Sequence, residues 1–214
     1  MNVSQGTKAE PNHPRGLRKR AFGQLCFATQ VPLGEREILC PVASTDEVLD
    51  FIAVDGTRAR ELDRLKPFQR AVFSCCCAQR LLNESSPGAD HPLAKRAVNL
   101  AWELVLGAPD DDAKAVLDEL EALGDELDQD ALAASFYALA TAARGGAETA
   151  AWAGQIGTDH AFELVSQAEG PYRPLEIDAS DPIVDREYQA QRSDLDRVST
   201  APSPTSLADL RQPL

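Results

Sequence analysis

From residue 58 onward the apolar residues recur at helical spacing, and this rhythm constrains the fold more than any other feature of the chain. Leu62, Leu65, Phe68, Val72, Phe73, Cys76 and Leu81 follow one another mostly at three- and four-residue steps, the spacing that gathers side chains on one face of a helix. Pro67 stands where a helix can begin, so a turn to Leu65 and a helix over 67–83 are predicted. Asn83-Glu-Ser-Ser-Pro-Gly88 has loop chemistry. A second helix is expected from about Pro92 to Leu106, with Asp90 as its N-cap and Gly107 as its stop. Leu93, Ala97, Leu100, Ala101 and Leu104 line one of its faces, and Trp102 and Val105 widen that face. A helix apolar over so much of its circumference is expected to sit centrally.

The same punctuation continues along the chain. Asp110-Asp-Asp112 should cap a third helix and complement its dipole, with Val116, Leu117, Leu120 and Leu123 as its stripe and Gly124 at its end. A fourth helix is expected over about 130–144, burying Leu132, Phe136, Leu139 and Ala143. A fifth runs over about 147–168, with Gly154 and Gly157 inside it. Those glycines weaken the helix intrinsically but permit a close crossing. Gly170-Pro-Tyr-Arg-Pro174 reads as a loop, and Asp181-Pro182 opens a last helix to about Val198 in the favoured cap-then-proline order. The aromatic content of 6% and the 33 alanines also favour close-packed helices over a β-sandwich. The expected fold class is therefore all-α, a compact bundle of about five to seven helices with disordered N- and C-terminal tails.

Three segments follow: residues 1–46, a helical domain over 47–198, and a disordered tail over 199–214. Residues 1–20 are polar and aperiodic, which reads as disorder. Within 22–42, Leu25-Cys26-Phe27 and Ile38-Leu39-Cys40 flank Pro32-Leu-Gly34, as a small hairpin would. A competing reading takes 1–46 as an extension from a start codon placed too early, with Val48 or Val54 as initiator. Both stay open at this point.

Charge narrows the partners. Residues 1–46 hold six Lys/Arg against four Asp/Glu, a net of +2, so the remaining residues carry −15 and the whole chain −13. Such a surface repels a phosphate backbone and an anionic membrane, so no nucleic acid and no membrane partner are expected. No stretch approaches 18 consecutive apolar residues, and Ala21–Ala28 is too short and interrupted for a secretory signal. Five cysteines, three of them adjacent, do not make a disulfide framework. A cytoplasmic location with reduced thiols is expected.

Candidate chemistry is sparse. Cys75, Cys76 and Cys77 would point about 100° apart on a helix and cannot share one tetrahedral metal; packing is the reading their apolar surroundings support. Asp159, His160 and Glu163 form a single H-x-x-E turn, without the paired E-x-x-H that a dinuclear bundle needs. No metal, no cofactor and no catalytic residue are assigned. G-x-S-x-G, a phosphate-cradling loop and G-x-G-x-x-G are all missing from the sequence. The block 108–130 carries ten Asp/Glu and one Lys114, either a solvated helix face or a docking surface for a basic protein partner.

One resemblance emerges from these pieces. Leu62-Asp-Arg-Leu65, Gln69, Phe73, Cys76 and Gln79-Arg-Leu-Leu82, then Asn99-Leu-Ala-Trp-Glu103, and finally Asp181-Pro-Ile-Val184 with Glu187 and Gln191, resemble the YjaG-like bacterial domain family of unknown function. The resemblance spans about 58–198. It implies a small, cytoplasmic, all-helical protein and carries no activity. Gln79 stands where that family tends to have glutamate, and Asn83-Glu84-Ser85 replaces a Pro-Asn-Tyr-like loop. A polar cluster, if present, is expected from Arg80, Trp102, Glu103, Glu187 and Gln191, either as a network tying the first, second and last helices or as a ligand pocket. The function expected from these observations is a non-enzymatic protein-binding module, of inhibitor or immunity type. The alternative is a small-ligand binder or enzyme with a pocket near Arg80, Trp102, Glu103 and Glu187. A homodimer burying an apolar helix face is compatible with either.

Overall fold

Proline opens three of the long helices and glycine follows the end of two. The computed structural model describes residues 58–169 and 181–214. Regular structure among them is entirely helical. α1 covers residues 58–64, and α2 runs Pro67–Asn83, with Pro67 at its first turn and the Gln69 side chain accepting a hydrogen bond from Lys66 N. α3 spans Pro92–Val105 and stops before Gly107, whose φ of 99° suits glycine. α4 (Ala113–Glu121) leads into a short 3-10 helix, Gly124–Asp128. α5 (Asp130–Arg144) ends on left-handed Gly145. α6 is Ala147–Glu169 and α7 is Pro182–Thr200, with Asp181 Oδ1 capping Ile183 N at 2.8 Å. The hairpin and the start-site reading of residues 1–46, and the loop 170–174, lie outside the described residues.

Three expectations are corrected. The cap of α3 is His91, whose Nδ1 accepts from Leu93 N, and not Asp90. The bundle's centre is the α2–α5 pair and not α3. Both are buried around most of their circumference, whereas α3 leaves Arg96 and Glu103 in solvent and Leu93, Leu100 and Leu104 half-buried. The physical reason is side-chain size: Ala131, Ala133, Ala134, Ala138 and Ala140 let α2, α3 and α6 approach α5 on several sides at once. Residues 199–214, expected as a disordered tail, complete α7 and then form a 3-10 helix, Pro204–Leu210. Leu207 is buried there at 3% exposure, and Gln69 Nε2 donates to the carbonyls of Ser199 and Ala201. Low apolar content hid this segment, because one leucine and side-chain amides from α2 hold it.

The two glycines inside α6 do permit a close crossing. A Cβ on Gly157 would stand 2.7 Å from Glu187 Oε1, and one on Gly154 would stand 3.1 Å from Gln191 Oε1 and 3.2 Å from the Phe73 ring. Polar side chains of α7 thereby reach the backbone of α6, and this positions the main polar cluster.

Candidate functional site

Residues 187, 191 and 194 lie on one side of α7 at helical spacing, beside the apolar Val184, Leu195 and Val198. Arg80, in the last turn of α2, meets them. Its Nε and Nη2 donate to the two oxygens of Glu187 at 3.0 Å each, a fork that only a guanidinium makes. Nη1 donates to Asp194 Oδ2, and Nη2 also reaches Cys77 Sγ at 3.5 Å. Gln191 Nε2 extends the network by donating to Glu187 Oε1 (2.6 Å) and Gly154 O (2.8 Å), with Thr158 Oγ1 3.3 Å away. Arg58 Nη1 reaches the same threonine hydroxyl at 3.4 Å, and its guanidinium lies over Tyr188. Burial pushes the Asp194 carboxyl above its ordinary value, against the pull of Arg80. Gln191 Oε1 is buried without a hydrogen-bond partner.

The expected cluster therefore divides. Arg80, Glu187 and Gln191 come together, joined by Asp194. Trp102 is fully buried elsewhere, donating through Nε1 to Gln79 Oε1 at 3.0 Å. Glu103 is exposed, 3.8 Å from Arg211. Gln79 and Arg80 are neighbours on α2, so their side chains diverge by about 100°, one toward α3 and the other toward α7. Of the residues the sequence reading missed, Asp194 lay within reach, seven residues after Glu187 on the same helix face. Thr158, Arg58 and Arg211 offered no comparable signal.

A second polar pair sits nearby. His160 Nδ1 and Asp130 Oδ2 are 2.8 Å apart, both residues buried, across α6 and the first turn of α5. Hydrogen bonding to Asp130 raises the His160 pKa above its ordinary value, against desolvation. Protonated histidine thus binds better in the folded chain than in the unfolded one, so its stabilisation is complete below the unfolded pKa and is lost as pH rises through the folded one. Urea unfolding is expected to show stability falling from pH 6 to pH 9, with the slope flattened in His160→Gln. An unchanged slope in that variant would remove His160 as the cause.

These groups have little room for a ligand. A cavity of about 10 Å³ lies between Glu84, His160, Arg186 and Glu187, enough for about one water. Neither Arg80 nor Trp102 borders it. Among the described residues no group of three His, Cys, Asp or Glu could hold a metal ion. The three adjacent cysteines are buried, and burial pushes their thiols up, Cys77 to about 12, so they pack rather than react. What the Arg80 cluster can do is tie α2 to α6 and α7.

The acidic block presents another kind of surface. Asp110, Asp111, Asp112, Asp118, Glu119, Glu121, Asp125 and Glu126 are exposed, and Asp128 is half-buried. Lys114 pairs with Asp118 four residues on, and Arg96 of α3 reaches Glu119 at 3.1 Å. Val116, Leu117, Leu120 and Leu127 anchor the block to the core, so its carboxylates are held on a folded support. No helix among the described residues is long and apolar enough to cross a membrane. No protein-family model, curated protein or solved structure matches this chain.

Proposed function

We propose that this chain is a YjaG-like, cytoplasmic helical domain that works as a non-enzymatic protein-binding module, taking a basic protein partner on its acidic face. The observation that carries this reading is the folded display of carboxylates over residues 110–128, with Lys114 the only basic residue of the 108–130 block. A rigid field of one sign accelerates encounter with a partner of the opposite sign and penalises like-charged ones. The polar residues that could have built a pocket are engaged with one another instead, and the cavity beside them has room for about one water. Inhibitor or immunity-type activity is one form such a module takes.

The test is a charge reversal. Asp111→Lys, Glu121→Lys and Asp125→Lys together are expected to change stability by no more than about 0.5 kcal/mol each, since all three sites are exposed. Native mass spectrometry of gently purified wild-type chain should show a basic polypeptide bound at low salt and released at high salt. The triple variant should lose that same polypeptide. If the variant retains it, the acidic face is not the docking surface.

A further inference from the structure

Beyond Ala201 a single side chain of this chain is buried, Leu207, yet the segment is held by a specific set of polar contacts. Gln79 of α2 reads its main chain in both directions: Nε2 donates to Leu210 O at 3.3 Å, and Oε1 accepts from Gln212 N at 3.2 Å. The same Oε1 accepts from the indole of Trp102, which fixes the amide's orientation. Asn83 donates to the Gln212 side chain at 2.9 Å, and Arg211 bridges to Asn99 and Glu103 on α3. The arrangement has the parts of a peptide-recognition site: a buried amide that pairs with main chain at the end of a 3-10 turn, one buried leucine, and an acidic and amide rim for an arginine.

The segment itself is suited to leave. Its 3-10 helix is short, its neighbours at 208–209 and 212–214 are exposed, and it is joined to α7 through Pro202 and an extended Ser203. A stretch with one apolar anchor and otherwise solvent-edge hydrogen bonds opens locally far more readily than a helix buried on all sides. Glutamine is needed at position 79 because a carboxylate could accept from Trp102 and Gln212 but could not donate to the Leu210 carbonyl.

From these contacts we infer that the groove across α2 and α3 is a peptide-binding site, occupied in cis by residues 203–214, which accepts in trans a peptide of the same chemistry. That chemistry is a leucine anchor followed three residues later by Leu-Arg-Gln, the leucine closing a 3-10 turn and the arginine extended. This site is independent of the acidic face and would survive its failure. Release of the resident segment also breaks the two hydrogen bonds that Gln79 makes to Leu210 and Gln212.

Two measurements on the full chain decide it. Hydrogen exchange of the wild type should show the amides of 206–212 exchanging at least a hundredfold faster than those of α2 and α5. Exchange only at the rate of global unfolding would overturn the inference. A fluorescent peptide of residues 203–214 should bind the Leu207→Ala chain at least tenfold more tightly than the wild type, because the variant's own segment competes poorly. Adding Gln79→Glu to that chain should weaken binding at least tenfold. Equal binding by wild type and Leu207→Ala would assign the segment to the permanent core. Should Leu207→Ala fail to fold by circular dichroism, the wild-type exchange rates alone decide between a releasable segment and a permanent one.

Discussion

Replacing Arg80 with methionine is expected to cost about 3 kcal/mol of unfolding free energy at pH 7, the lower end of what breaking one side of a buried ion pair removes. The lower end applies because the cluster is not sealed: side-chain exposure is 23% for Arg80, 12% for Glu187 and 13% for Asp194. Methionine keeps most of the stem's packing, so the loss reports the guanidinium and not a void. Two carboxylates then face each other with no cation between them. Asp194, already pushed up by burial, loses the cation that opposes that push and favours its protonated form in the folded chain, so the deficit grows as pH rises and narrows toward pH 5. Arg80→Lys should recover only part of it, since an ammonium cannot bind both Glu187 oxygens in a fork and still reach Asp194. Urea unfolding at the two pH values tests this. A loss under about 1 kcal/mol, or one that ignores pH, would mean that the cluster does not clamp α2 to α7.

The frame of this bundle was legible wherever stereochemistry is local. Pro67 and Asp181-Pro182 mark helix starts, Gly107 and Gly145 mark stops, and of the stripe Val116, Leu117, Leu120 and Leu123 the first three are buried, while Leu123, beyond the end of α4, is half-buried. Centrality was not legible. The apolar width of α3 pointed inward, but the alanines of α5 decide the matter by letting neighbours approach closely, and small residues add little to a periodic signal. The site was readable in part. Arg80, Glu187 and Gln191 do meet, yet Trp102 and Glu103, drawn into the same cluster by the family resemblance, lie elsewhere: Trp102 against Gln79 on another side of α2, and Glu103 exposed beside Arg211. Pairs such as His160 with Asp130, thirty residues apart on separate helices, carry no trace in one sequence. The strap after α7, residues 203–214, was missed for a related reason: Gln69, which holds the chain just before it, and Gln79, which holds its end, are polar residues whose burial no hydropathy pattern announces.

Trp102 should be the costliest single truncation in the α3 half of the molecule. Its side chain is fully buried, and Trp→Ala changes in such positions remove about 3–5 kcal/mol through lost transfer energy and the remaining cavity. The position also carries a polar duty, which a second variant isolates. Trp102→Phe keeps most of the apolar contact and deletes the N–H that meets Gln79 Oε1 at 3.0 Å. Gln79 Oε1 is not orphaned by this change, because Gln212 N still donates to it. The phenylalanine variant is therefore expected to lose only about 1–2 kcal/mol, the sum of a neutral hydrogen bond and a modest volume change. Its main consequence should lie in the strap, where an unfixed Gln79 amide grips residues 210–212 less well and their amides exchange faster. Urea titrations of both variants separate the two contributions. Near-equal losses in Trp102→Ala and Trp102→Phe would mean that the indole N–H, and not the buried ring, dominates at this position.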